Sequence, residues 1–400
     1  MSVAPPYIAE EWSSRPSVRL LNYVIVVLMI ATAILGGTAL DLLQIACELV
    51  LIGLLSFGIL KVRRTGTDII LFATLVATSL ASFLVNDIRA FALNFKLFLL
   101  CILTLTYFRK VRFLPHRLVS AVFVINALLI VHQYVTGHFI LPAASFAGYY
   151  EAAVNTRPIG LFLTPHSSSF FIAIWLLYRV SATPLHALLS LALMAMTGGI
   201  TNLVAVVAQM VDYLLRRSRA YRLSLGKIPL VTFIIAPLAL IYFLIEPFLA
   251  LMRMNSYFRY YAAEIILPQL FDARYFSEAL RLIPTDYVYL TVMQEATYAQ
   301  YGNEIGFIKV FVEAGLILGA LTLWAIMREV RVYRVFFWVT LLHYSLVINT
   351  PFFLFLMIAY NREMMYPRGV PAGAARVPAG GFPPPPATSP VPSATVRSAT

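Results

Sequence analysis

The sequence predicts an all-α polytopic integral membrane protein, with about eleven or twelve transmembrane helices and one large loop outside the membrane. Three observations lead there. Hydrophobic residues make up 60% of the 400 and charged residues only 12%, where soluble domains carry roughly 25% charged. Mean hydropathy is +0.83, and apolar runs long enough to cross about 30 Å of hydrocarbon as helix recur along most of the chain. The lysines and arginines, once placed between those runs, gather on one side.

Residues 1–19 form a short inside segment that carries Arg15 and Arg19. The run at 20–40 has no small-residue cleavage pattern after a short core, so it is read as an uncleaved first span. Spans follow at 42–60, 68–86, 91–108, 118–135, 159–178, 184–198, 200–215 and 228–249, which places nine helices in residues 20–249. Three more, at 304–326, 333–348 and 350–361, occupy residues 304–361. With the N-terminus inside, 22 of the 30 lysines and arginines fall in inside segments. Outside loops keep Arg89, Arg157, Arg253, Arg259, Arg274 and Arg281, while Lys96 and Lys309 lie within spans. This is the positive-inside pattern. Topology thereby absorbs the net charge of +12, and no nucleic-acid partner is expected.

The short seventh and eighth spans are divided by Gly198-Gly199, and read either as two crossings or as a re-entrant hairpin shielded by protein. Residues 250–303 exceed turn length, are rich in tyrosine and hold apolar patches such as YYAAEIILPQLF, so a folded cap is expected there. Residues 362–400 end in a proline-, glycine- and serine-rich stretch that cannot bury a core, and a disordered inside tail is expected. Cys47 and Cys101 stand alone in apolar runs and read as packing residues.

Several side chains are out of place in such a chain. Arg157 opens TRPIGLFLTPHSSSFF at the outer end of the sixth span, and Pro158 after it suits the first turn of a helix. Arg157 then either reaches to the headgroups or holds an anion. His166 and Ser167–Ser169 lie deeper and face protein or a wet cavity, with His166 read first as hydrogen-bonded within the bundle. The cap holds Arg253, Arg259, Arg274 and Arg281 with no lysine. An arginine fork matches phosphate oxygens, and tyrosines such as Tyr289 and Tyr301 suit sugar faces. The same arginines also have Glu264, Asp272, Glu278, Asp286 and Glu295 as local partners. Lys309 and Glu313, spaced i, i+4, read as a structural ion pair, and Glu48 with Lys96 as another across spans. Glu304 and Asn303, near the outer surface, are candidates for ligand contact. No G-x-x-x-x-G-K-[ST], no HExxH and no Cys/His cluster occurs, so no metal site and no cofactor is expected.

The motif R-P-x-G-x-F-x-x-P-H, the glycine-rich MTGGITN at 196–202, the late outer loop and N-E-x-x-F-x-x-V-F-V-E-A-G-L-I-L-G together resemble the O-antigen ligase and Wzy-type polysaccharide polymerase superfamily over about residues 20–360, with the xanthan-type exopolysaccharide polymerases as a neighbourhood. The family's first motif usually ends Pro-Asn, and its ligases usually carry a histidine where this chain has Gly302. Those departures favour polymerase over ligase. The resemblance implies a glycosyltransferase of the bacterial inner membrane. Such an enzyme joins undecaprenyl-diphosphate-linked repeat units into exopolysaccharide or O-antigen at the periplasmic face, without metal or nucleotide sugar. It implies that Arg157 matches the family arginine, and Glu313 and Gly315 its E-x-G. Arg157, Arg274 and Arg281, with Arg253 and Arg259, would hold the diphosphate, while Glu304, Glu295 or His166 would take the acceptor's proton. Expected partners are the lipid-linked glycan, membrane lipids, a chain-length regulator and export proteins. The competing readings are a ligase, a lipid-linked glycan flippase or transporter, and a non-catalytic assembly subunit.

Overall fold

The computed structural model describes residues 16–36, 41–62, 64–83, 88–111, 113–140, 157–179, 184–217, 306–342 and 346–365. Within these, every regular element is helical. They are α1 (Pro16–Leu35), α2 (Asp41–Leu60), α3 (Gly66–Phe83), α4 (Ile88–Phe108), α5 (His116–Thr136), α6 (Pro165–Arg179), α7 (Pro184–Met196), α8 (Ile200–Arg217), α9 (Gly306–Glu329), α10 (Arg334–Leu341), α11 (Leu346–Asn349) and α12 (Pro351–Met365), with a 3-10 turn at Arg331–Tyr333. The expected span 228–249, the cap 250–303 and the tail from 366 lie outside the described residues.

Among the described residues three helices, over Pro16–Leu35, Leu42–Leu60 and His116–Thr136, are long and apolar enough to cross a membrane. Their outward faces are apolar as well: Leu20 and Val27 on α1, Leu49 and Phe57 on α2, and Leu128 and Val135 on α5 are all exposed. A surface of that kind suggests association with a membrane.

Chain neighbours pack together: α1 on α2, α3 on α4, and α6 on α7, with α12 against α1, α4 and α6. The polar contacts sort the helix termini into two ends. At one end Arg109, closing α4, donates Nε to Glu329 Oε1 of α9 at 2.8 Å and bonds Asp68 near the start of α3. Arg362 of α12 also reaches Glu329, at 3.5 Å. Asp68 serves the same place twice, because its Oδ2 accepts Thr65 N at 2.7 Å as one half of a capping box that starts α3. Alongside, His116 Nε2 of α5 lies 2.9 Å from Glu363 Oε1 of α12, and Tyr178 of α6 donates to Glu363 Oε2 at 3.0 Å. Starts of α3 and α5 thus meet ends of α4, α6, α9 and α12, as an up-and-down bundle requires. We call this the ionic end.

The ion pair expected between Glu48 and Lys96 is present: Lys96 Nζ stands 2.5 Å from Glu48 Oε2, and Gln44 Nε2 donates to the other carboxylate oxygen at 2.9 Å. Both side chains are largely buried, and each supplies the other's countercharge. The side chains of Lys309 and Glu313 lie outside the described residues.

Five expected spans take a different form. The sixth begins at Pro165 rather than 159, because the segment before it is a turn. The seventh and eighth form a helical hairpin about Thr197–Gly199, whose 13-residue first arm rises only about 20 Å. The tenth breaks at Gly315, where φ 73° and ψ 170° define a region that only glycine enters at low cost. A Cβ on Gly319 would lie 3.3 Å from Val310 O. In a straight helix residues nine apart stand about 13 Å apart along the axis, so the two halves of α9 fold against each other. The eleventh span is replaced by the 3-10 turn, the eight residues of α10 and the four of α11.

Breaks inside a packed bundle free backbone groups that must be paired elsewhere. At the corner between α9 and α10, Gln209 of α8 donates to Val332 O at 2.7 Å and accepts from Phe336 N at 3.0 Å. Asn361 of α12 accepts from Val332 N at 2.7 Å and donates to Glu329 O. Two amide side chains replace the missing helical bonds.

Two outcomes follow, both read from thermal unfolding of the purified protein. Gly315→Ala lowers the midpoint, at a cost of roughly 1–3 kcal/mol, while Gly53→Ala, where nothing lies within 4 Å of an added Cβ, does not. Glu48→Ala strands a buried ammonium and costs about 3–5 kcal/mol, whereas Glu48→Leu with Lys96→Met restores stability to near wild type. A double variant as unstable as Glu48→Ala would contradict this account.

Candidate functional site

At the opposite end from Arg109, the segment from Arg157 to Thr164 forms a turn, not a helix. Sequence reasoning placed Pro158 in the first helical turn, and the structure corrects it: Pro165 holds that position. Thr164 is the residue that decides. Its Oγ1 accepts Ser167 N at 3.1 Å and its carbonyl accepts Ser168 N at 3.1 Å, the geometry of an N-cap followed by proline at N1. His166 consequently sits in the first turn of α6, not two turns deeper. It is half-buried, and its carbonyl accepts Asn202 Nδ2 at 3.4 Å.

Two amides of α5 moor the turn. Gln133 Oε1 accepts both Ile159 N and Gly160 N at 2.9 Å. Asn126 Oδ1 accepts Leu161 N at 2.8 Å and Ser168 Oγ at 3.1 Å. Both residues are almost fully buried, and they stand seven apart, on one face of α5. With these bonds in place the turn tolerates two left-handed residues: Gly160 at φ 61°, and Leu163 at φ 57°. A leucine there is strained and persists only where its surroundings over-determine it. Gly160 has a second reason to be glycine, since a Cβ would lie 2.4 Å from Asn126 Oδ1.

The turn meets the α7–α8 hairpin. A Cβ on Gly198, itself at φ 66°, would lie 3.3 Å from Arg157 Nε and 3.5 Å from its Cζ, so the guanidinium lies against this glycine. A Cβ on Gly199 would lie 1.8 Å from Ser169 Oγ, which makes glycine obligatory where the hairpin meets α6. Arg157 is exposed, and among the described residues no carboxylate pairs with it. The result is a fixed arginine fork at one end of the bundle, held by a strained turn and a glycine pair and without a countercharge among the described residues. Such a group can hold an anion, phosphate oxygens above all.

Of the other site residues expected from sequence, Arg253, Arg259, Arg274, Arg281, Tyr289, Tyr301, Asn303 and Glu304 lie outside the described residues. Among the described residues no group of three His, Cys, Asp or Glu side chains could hold a metal. Sequence reasoning missed Asn126, Gln133 and Thr164. The signal was present in two amides seven apart within an otherwise apolar run, since a buried polar side chain at membrane depth must have a partner.

Gln133→Leu leaves two buried N–H groups unpaired and costs about 1–3 kcal/mol. The check is the unfolding midpoint beside that of Gln133→Glu, which keeps an acceptor oxygen in that place and retains more of it; equal losses would show that the amide oxygen does not moor the turn.

Comparison of the chain with family models, with curated proteins and with solved structures returned no match, so the site stands on its own geometry.

Proposed function

We propose that this protein is a multi-pass enzyme of the bacterial inner membrane that polymerises undecaprenyl-diphosphate-linked oligosaccharides at the periplasmic face. The reading rests on Arg157: an exposed guanidinium fixed against Gly198, with no carboxylate partner among the described residues, is suited to a diphosphate. It gains support from the two motifs that carry the family resemblance, R-P-x-G and T-G-G, which meet in space at Arg157 and Gly198. The charge distribution agrees. Apart from Arg157, the exposed charged side chains among the described residues are Arg19, Lys61, Arg64, Arg117, Arg328 and Arg331, all at the ionic end. By the positive-inside rule the ionic end is cytoplasmic, and Arg157 is periplasmic.

In this mechanism Arg157, with arginines of the 250–303 loop, holds the diphosphate of the donor. The bond between the donor's anomeric carbon and its phosphate oxygen breaks, and the acceptor's hydroxyl oxygen forms the new bond to that carbon. Undecaprenyl diphosphate leaves with the electron pair, and the hydroxyl proton passes to a base such as Glu304 or His166. Fixed positive charge at the leaving diphosphate lowers the barrier because it needs no reorganisation during reaction.

One observation favours a second reading. The break at Gly315 makes α9 a discontinuous helix, and discontinuous helices are common in transporters of polar cargo. A transporter would place its cargo-binding charge near the middle of the bundle. There, among the described residues, Glu48 and Lys96 neutralise each other.

The test is extension of a lipid-diphosphate glycan by the purified protein in vesicles. Arg157→Ala is expected to lose two to three orders of magnitude in rate, in line with loss of a preorganised donor. Arg157→Lys, which keeps charge but not the fork, should recover part of that rate. Wild-type chain lengths in both variants at normal protein level would sink the assignment. Repeat units that accumulate on the cytoplasmic side of a deletion strain would select the transporter.

A further inference from the structure

We infer that the groove between α3 and the second half of α9 binds one anionic phospholipid in the leaflet at the ionic end. The inference rests on the membrane-spanning reading above, and it concerns the face away from Arg157. Arg328 Nη1 donates to Thr67 Oγ1 at 3.3 Å, which sets the two helices side by side. Away from that contact α3 presents Ile70, and α9 presents Trp324, Leu321 and Ile317 at the i, i+3, i+4 spacing of a single stripe. Ile70 and Ile317 are 53% and 42% exposed, and Leu321 and Trp324 are half-buried. The groove is therefore apolar and open.

Its length fits half a bilayer. Ile317 to Arg328 spans eleven steps of helix, about 16 Å, against about 30 Å for the full hydrocarbon core. One acyl chain of one leaflet fills it.

Among the described residues, the polar head of the groove has no carboxylate as countercharge. Arg328 is exposed, its guanidinium carbon lies 5.6 Å over the Trp324 ring, and its hydrogen-bond partner is a neutral hydroxyl. An indole at the border of apolar and polar surface is where tryptophan sits in bilayers. Lys61, Arg64 and Arg331 are also exposed at this end. The described carboxylates nearby are committed: Asp68 and Glu329 to Arg109, and Glu363 to His116 and Tyr178. A lipid phosphate supplies the missing negative charge, and Arg328 offers it a fork. A cationic group in the headgroup, as in phosphatidylcholine, would meet four basic side chains, so a net-anionic headgroup is selected. The apolar groove running on from the basic head selects a lipid over an acidic peptide.

The experiment uses full-length protein in nanodiscs of phosphatidylcholine with phosphatidylglycerol, released for native mass spectrometry. Wild type is expected to retain phosphatidylglycerol over phosphatidylcholine. Arg328→Gln should lower that retention about fivefold, the contribution of one basic residue at an anionic surface. Ile70→Trp, which fills the groove and leaves every charge, should lower it too. Arg117→Gln, an exposed arginine at the same end but on α5, should not. Equal losses in Arg328→Gln and Arg117→Gln would overturn the inference in favour of unspecific charge, and so would equal retention of the two lipids. Binding of an acidic peptide in place of lipid would overturn it as well. A protein that failed to enter nanodiscs would remove the membrane reading itself, a result separable from all of these.

Discussion

A helix in a bundle with apolar faces can break only where other groups take over its hydrogen bonds. Four side-chain amides do so here. Gln133 and Asn126 receive the backbone N–H groups of the turn after Arg157, and Gln209 and Asn361 do the same for the corner between α9 and α10. An amide is suited to this because it carries donor and acceptor without charge, and so avoids ionic desolvation when buried. The irregular segments of the protein, the candidate site among them, exist on that condition.

Charge obeys the same constraint in another form. Where it is buried it is paired: Glu48 with Lys96, and Arg109 with Asp68 and Glu329. Among the described residues, where it is exposed it is basic and lies at the ionic end, with Arg157 as the exception. The exception is informative because the other charged side chains among the described residues are paired or lie at the ionic end. The proposed function rests on such an arginine, fixed by a strained turn against a glycine at the end where exposed charge is otherwise missing from the described residues.

The first five helices were legible in the sequence because each is an unbroken apolar run, and Glu48 with Lys96 was legible because two opposite charges inside neighbouring runs have few alternatives. The start of α6 was not. Pro158 and Pro165 both satisfy the rule for proline at a helix start, and only Thr164, whose hydroxyl caps the helix, separates them. The break in α9 was hidden for a related reason. Gly315 and Gly319 read equally well as small residues packed inside a straight span, and hydropathy is blind to φ. Arg157 stood out in the sequence as a residue, but its setting was not legible, because the amides that hold the turn come from α5 and the glycine it touches comes from the α7–α8 hairpin.

The Arg109 cluster also bears on how the chain is made. Asp68 and Arg109 are both available once the first four helices are synthesised, but Glu329 follows Arg109 by 220 residues and Arg362 by 253. At 5–20 residues per second, translation reaches Glu329 on the order of tens of seconds later. Throughout that interval the nascent bundle holds an arginine with only one of its two carboxylates. The later helices α9 and α12 bring Glu329 and Arg362 as a second opposite pair, so the cluster closes late.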